Sequence, residues 1–364
     1  MKLVLFSDLH LDTPFTWAGP DLSRRRRIAL QETLENILSV ANEVKADAIL
    51  CGGDLYEHEM ISPDTEDFLR QSFDEIAPIP VYIAPGNHDW FGPESAYQRI
   101  AWSPNVTVFS ETILERVEIE DGLSLWGAAH RAPANTDGFL DDFTVDGSGV
   151  HLALFHGSEA NWTAALVDGK VPHAPFEEHQ IPDSGLGHAF LGHYHNPFDG
   201  QYHTYPGNPD PLTFGETGDR GVVIATVGPD GAIERERRSV AVTTVSDLKV
   251  DVTGATNGSE VREKVTLALE GLVGVARVTL HGELAEQVDL QLTDLSEIES
   301  DLDVLYEFGQ IQVGYDLDAI AAEQTVRGQF VGAVLEAGLS EDEGQRIITA
   351  GLRAFDGRDD LEVH

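Results

Sequence analysis

Lys2-Leu-Val-Leu-Phe-Ser-Asp-Leu-His10 carries an apolar run straight into a carboxylate and an imidazole. Such a run reads as a buried strand, and Asp8 and His10 alternate along extended chain, so both side chains can point the same way. Four more stretches repeat the arrangement: Gly53-Asp54 after Ala48–Cys51, Gly86-Asn87-His88-Asp89 after Pro80–Ala84, His156-Gly157 after Val150–Phe155, and Gly192-His193-Tyr194-His195 after Ala189–Leu191. Side chains at the carboxyl ends of strands in an α/β sheet converge on one crevice, so these motifs can share a single site.

Helical segments over 25–44 and 64–76 separate the first of these strands, and this β-α-β-α rhythm indicates a layered α/β fold. From Glu115 strand-like runs follow at shorter spacing (116–119, 123–127, 150–155, 189–191, 202–205, 221–227), as a second sheet packed on the first requires. Composition shifts at Glu234-Arg-Glu-Arg-Arg238, and a β-α-β-like segment follows: strand over 247–252, helix over 259–272, strands over 276–281 and 288–292. Two closing helices are expected. The first spans 317–336 and stops at Gly338, and Ser340-Glu-Asp-Glu343 forms a capping box opening the second. The expectation is therefore an α/β chain of two packed sheets flanked by helices, with a smaller α+β capping domain. Its divisions are residues 1–240, 241–315 and a C-terminal helical segment 316–364.

The chemistry follows from donor types. Asp8, His10, Asp54, the amide oxygen of Asn87, His156, His193 and His195 supply two mixed oxygen and nitrogen shells, suited to divalent manganese or iron. Two adjacent divalent metals are the usual equipment for attacking a phosphate ester. Asp54 follows two glycines that allow a tight turn, and its carboxylate can bridge the metals. His88 is not needed as a ligand. An imidazole titrating near neutrality beside the metals can protonate a leaving alkoxide, with Asp89 orienting its ring. Asp12 is a candidate support for the His10 ring. His130 and Arg131 are candidates for the rim, Trp90 and Phe91 for stacking, and Arg24 to Arg27 for phosphate contact.

Ser7-Asp8-Leu9-His10, Gly52-Gly53-Asp54, Gly86-Asn87-His88-Asp89, Phe155-His156-Gly157 and Gly192-His193-Tyr194-His195 together resemble the calcineurin-like metallophosphoesterase superfamily. Leu9-His-Leu-Asp-Thr-Pro-Phe15, Tyr205-Pro-Gly-Asn-Pro-Asp210 with Arg220-Gly-Val-Val-Ile224, and the stretch from Asp247 onward are similar to SbcD/YhaO-type repair nucleases. The resemblance implies a four-layer sandwich. It places one metal, most often manganese, on Asp8, His10, Asp54 and His195, and a second on Asp54, Asn87, His156 and His193. His88 would contact the scissile phosphate while hydroxide generated at the metals attacks in line. It also implies DNA as substrate, a homodimer, and a partner that is an SMC-like coiled-coil ATPase of SbcC or YhaN type. The terminal helices, with Ile320, Val326, Phe330, Val334 and Leu335, are the candidate docking surface. One departure stands out: some nucleases of this kind carry a phosphate-contacting His three residues after the bridging Asp, where this chain has Glu57.

Charge bears on the substrate. Acidic residues number 63 against 23 basic ones, giving a formal net charge of −40 over 364 residues. The acids are spread along the whole length and lysine is scarce, which fits adaptation to high intracellular salt. Non-specific attraction to nucleic acid needs a basic surface, so the charge by itself favours the alternatives: a phosphoesterase of nucleotides or other small esters, or a mainly architectural subunit of an ATPase complex. Cys51 is the single cysteine and reads as a buried thiol. No stretch approaches membrane-spanning length, and a cytoplasmic enzyme without membrane contact is expected.

Overall fold

The computed structural model describes residues 1–160, 172–285, 288, 290, 295, 298 and 302–356. The chain separates into two compact units. One comprises Met1–Leu212 with Gly218–Thr243, the other Thr213–Thr217 with the chain from Thr244 onward.

The first unit holds two six-stranded sheets. In one, β1 (Lys2–Phe6), β2 (Ala48–Cys51), β3 (Val81–Ile83) and β4 (Val106–Val108) run parallel, joined through α1 (Pro20–Val44) and α2 (Pro63–Glu75). The other contains β5 (Glu115–Glu120), β6 (Leu123–Gly127), β7 (Val150–His156), β8 (His188–Gly192), β9 (Phe198–Asp199) and β10 (His203–Tyr205), in the order β5-β6-β7-β8-β10-β9. The chain then returns to the first sheet as β11 (Gly221–Val227), antiparallel to β1, and β12 (Ile233–Ser239), antiparallel to β11.

Alternation along β1 shows how the layers form. Leu3 and Leu5 face Leu125, Leu152, Leu154 and Phe190 of the second sheet in one core, while Val4 and Phe6 face Leu30, Leu34 and Ile37 of α1 and Phe73 of α2. A strand buried on both faces is apolar throughout rather than alternating, which is why Lys2–Phe6 reads as an unbroken run. On the far side of the second sheet, Phe155, Ala189 and Leu191 pack against Phe139, Phe176 and Ile181, the last within the short α4 (Gln180–Asp183). Between Ser95 and the strand over 106–108 a one-turn helix, α3 (Ala96–Arg99), carries Tyr97 into the first core.

The charged stretch 234–238 belongs to the first sheet. It lies inside β12, an edge strand with most of its residues exposed, where charged side chains face solvent and guard the open edge. Among the arginines at the start of α1, Arg24 and Arg25 are exposed but Arg26 is buried against Asp210.

The second unit contains a parallel sheet of β13 (Val245–Asp251), β14 (Val275–Ala285) and β15 (Asp303–Gly314), with α5 (Gly258–Leu269) as the crossover between the first two. The strand expected over 288–292 falls outside the described residues apart from Val288 and Leu290, both buried. The single helix expected over 317–336 is two, α6 (Leu317–Ala321) and α7 (Val326–Glu336). Thr325 restarts the helix by accepting the Gly328 N–H on its side chain. Helix α8 (Glu341–Asp356) opens with the expected reciprocal capping box, Ser340 and Glu343 each taking the other's backbone N–H. Ile320 is buried with Val331, Ile348 and Leu352, and Phe330 and Val334 pack on them, whereas Val326 and Leu335 remain exposed. No helix among the described residues is long and apolar enough to cross a membrane.

Candidate metal centre

The five motifs do converge, and backbone hydrogen bonds between strand ends hold them. Asp8 N–H donates to the Gly53 carbonyl and His10 N–H to that of Asp54, both at 2.9 Å, so the loops after β1 and β2 run side by side. Gly53 has φ +94°, and a Cβ there would lie 2.7 Å from Ala84 O and Gly86 N and 2.8 Å from His156 Nδ1. Only glycine lets these loops close. Asp8, His10, Asp54 and His193 all have positive φ (56°, 50°, 50° and 112°), a conformation L-residues adopt at a cost and one that clusters at functional sites.

Asp54 lies between the histidines of the site. Its Oδ2 lies 3.2 Å from His156 Nε2 and 3.7 Å from His10 Nε2, and its Oδ1 accepts the His88 N–H at 2.8 Å. Donor atoms of Asp8, Asp54 and His156 lie within 4.8 Å of one another, as do those of Asp8, His10 and His195. Asn87 Oδ1 is 3.1 Å from His156 Nε2. The His193 ring packs edge-on against His156, and its backbone N–H donates to Asp8. The structure thus gathers every sequence-predicted ligand, with His193 joined through ring contact rather than through the close donor sets.

The donor set fits divalent cations. His156 Nδ1–H points to the Gly52 carbonyl (2.9 Å), which leaves Nε2 toward Asn87 and Asp54. His10 Nε2 is buried with no hydrogen-bond partner, while Nδ1 is paired with Glu57 at 2.7 Å. Ring orientation by a carboxylate or carbonyl on the far nitrogen is the usual support of a metal-ligating histidine. Electrostatics agree. Burial opposes charge on His156, but Asp54, Asp8 and the Gly52 carbonyl hold its pKa up at about 9. Burial likewise pushes the Asp54 carboxyl upward, yet His156, His10 and His88 bring it well below the ordinary range. This corner attracts positive charge.

His88 differs from the ligands in exposure. Its side chain is 47% exposed against 4% for His10, so it borders the open side of the site. Its ring is oriented by Glu57, not by Asp89: His88 Nδ1 lies 3.0 Å from Glu57 Oε2. That hydrogen bond, against the opposing effect of burial, raises the His88 pKa to about 9. Burial would raise Glu57, but its bonds to His10 and His88 take it down to about 2. Asp89 instead ties the loops together, accepting the N–H groups of Gly86 (2.6 Å), Leu55 (2.7 Å) and Asp54 (3.2 Å) and the Tyr97 hydroxyl. Its pKa is raised to about 6, chiefly by burial and then by the Asp54 charge.

Other residues take places the sequence does not announce. His130 is buried rather than at the rim; its Nε2–H reaches the His156 carbonyl at 2.7 Å, and Thr136 meets its Nδ1 at 2.8 Å. Asp12 accepts the Ser62 N–H at the start of α2 and does not touch the His10 ring nitrogens. His173, which follows no strand-end motif, stands with its ring centroid 5.3 Å from that of His193. Glu57→Gln removes the charge shared by His10 and His88 while keeping one acceptor oxygen. Metal affinity or turnover is expected to fall about 10–100-fold, read by equilibrium dialysis with the metal alone and by kcat. Unchanged affinity and rate would show that the Glu57 bridge does not reach the metals.

The profile of the calcineurin-like phosphoesterase family matches residues 1–197. The uncharacterized metallophosphoesterase YhaO of Bacillus subtilis is 28% identical over 266 residues, 69% of this chain and 63% of that protein. The DNA double-strand break repair protein Mre11 of Methanopyrus kandleri is 25% identical over 304 residues, 73% of this chain and 62% of that protein. The match thus spans less than two thirds of the length of either relative. Among solved structures, TT1561 of Thermus thermophilus aligns with 13% identity and a TM-score of 0.40 over 65% of this chain and 98% of that one. With the family profile covering more than half of the chain and its strand-end donors gathered at one site, the chain belongs to the calcineurin-like phosphoesterase family.

Proposed function

We propose that this protein is a two-metal phosphodiesterase acting on DNA, of the SbcD/YhaO repair-nuclease type. Metal-dependent phosphoester hydrolysis comes with family membership. The observation that carries the diesterase reading is His88: a partly exposed imidazole, held by a buried-side carboxylate, next to the converging donors. The DNA reading draws on the similarity to Mre11, named for double-strand break repair, over 73% of this chain.

Asp8, His10, Asp54 and His195 would hold one metal, and Asp54, Asn87, His156 and His193 the other, with manganese suited to this mixed donor set. When bound, such metals supply Lewis acidity toward phosphoryl oxygens and lower the pKa of water. The chain's own work is done at His88. With Nδ1–H on Glu57, the ring presents Nε2 to substrate, and the Glu57 carboxylate favours the protonated ring that the departing sugar oxygen requires. Asp89 keeps Gly86, Asp54 and Leu55 in place, so Asn87 and Asp54 keep their aim. A homodimer in the cytoplasm, partnered by an SMC-like ATPase at the C-terminal helices, where Val326 and Leu335 are exposed, completes the proposal.

The test is cleavage of end-labelled duplex DNA with manganese in molar potassium chloride, with and without the ATPase. Shortened labelled strands are expected. Hydrolysis of nucleotides with DNA left intact in both conditions would overturn the nuclease reading and make the protein an esterase of small phosphates.

A further inference from the structure

We infer that His58 and Trp90 form a platform for a nucleobase beside His88, a subsite for the nucleoside adjoining the scissile phosphate. The inference rests on the phosphodiesterase reading. The two rings are stacked, with centroids 3.8 Å apart and planes 16° from parallel. The pair is fastened to the catalytic loop, because His58 N–H donates to the His88 carbonyl at 2.9 Å and Trp90 follows His88 by two positions. Both residues are only partly buried, and the neighbouring Met60 is 54% exposed. Beside them Phe91 is partly buried, with the Arg131 guanidinium 5.4 Å from its ring centroid.

Charge explains why such a platform is needed. A chain of net charge −40 gains no long-range attraction to a polyanion, and salt weakens what local attraction remains. Stacking has neither limitation: every base has a π-face, and the contact contributes without neutralising phosphate. The stack is tied through the His58 N–H to the loop that carries His88, and a base attached to a phosphate at His88 can be held there.

Two diesters with one leaving group test this on the metal-loaded full chain: methyl p-nitrophenyl phosphate and thymidine 5′-(p-nitrophenyl phosphate). Trp90→Ala is expected to lower kcat/KM for the thymidine ester about tenfold, mostly through KM, with the methyl ester unaffected. His58→Ala should act in the same direction, and Trp90→Phe should restore the preference. A second readout needs no turnover: thymidine oligonucleotide should quench tryptophan fluorescence of the metal-free wild type, and Trp90→Phe should remove that component. Quenching by thymidine monophosphate as well would assign the subsite to small nucleotides; quenching by the oligonucleotide alone assigns it to a strand. Equal losses on both esters, or quenching unaltered in Trp90→Phe, would overturn the platform and leave the diesterase reading standing. A wild type inert toward both esters would instead defeat that reading, while the fluorescence still decides the platform.

Discussion

His88→Ala is expected to lower kcat for phosphodiester hydrolysis by about 100- to 10,000-fold, the range for losing one positioned proton donor. Metal content should stay at the wild-type level, because two of the three converging donor sets among the described residues, Asp8, His10 and His195 and Asp8, Asp54 and His156, do without this ring, which belongs only to the third, with His10 and Glu57. The backbone N–H that His88 gives to Asp54 also survives the substitution. The effect should fall on kcat more than on KM, since the proton is needed as the sugar oxygen departs. It should shrink for esters with acidic leaving groups such as p-nitrophenolate, which depart without protonation. Steady-state kinetics on the two substrate types, with metal analysis of the same samples, checks the assignment. Wild-type turnover in the variant would remove His88 from the mechanism.

Asp210→Ala is expected to cost about 3–5 kcal/mol of stability, the typical result of stripping one partner from a buried ion pair. Arg26 Nη2 donates to Asp210 Oδ1 at 2.7 Å and to the Pro211 carbonyl, and the two side chains are 2% and 0% exposed. Asp210 also accepts the Thr33 hydroxyl (3.1 Å) and the N–H groups of Val242 (2.8 Å) and Thr243 (2.9 Å). One carboxylate therefore fastens helix α1 to the chain that leaves β12. Removing it strands a guanidinium that has little water to turn to. Melting should drop by about 10 °C for a unit of this size, and by a similar amount in molar potassium chloride, because salt screens buried pairs far less than exposed ones. Arg26→Met together with Asp210→Leu should recover part of the loss. Differential scanning calorimetry at low and high salt checks both expectations; a wild-type melting point in Asp210→Ala would show that the pair contributes nothing.

Glu57 shows where reading along the chain stops. The residue stands out in the sequence because a histidine occupies that place in some nucleases, and so it marks a departure. Its work is visible only in three dimensions, where its two oxygens reach His10, 47 positions away, and His88, 31 positions away. The carboxylate couples a candidate metal ligand to the candidate proton donor, and no spacing rule encodes a partner chosen by strand order. Asp89 is the converse. Its place beside His88 makes it look like an orienting group, yet its carboxylate turns inward to three backbone N–H groups and Tyr97, buried donors that need an acceptor.

What the sequence alone determined is local. Apolar runs ending in Asp, Asn or His declared β1, β2 and β3 of one sheet and β7 and β8 of the other, and the rule that strand ends converge was enough to gather Asp8, His10, Asp54, Asn87, His156, His193 and His195 at one place. Glycines at turns and the Ser340–Glu343 capping box were equally legible, since each is a property of a few consecutive residues. Tertiary structure alone decided what depends on neighbours remote in sequence: the charged run over 233–239 as an edge strand, Arg26 as half of a buried pair, His130 beneath His156, and the Glu57 bridge. A side chain's chemistry is set by the groups packed around it, and packing brings together residues whose separation along the chain carries no signal of their contact.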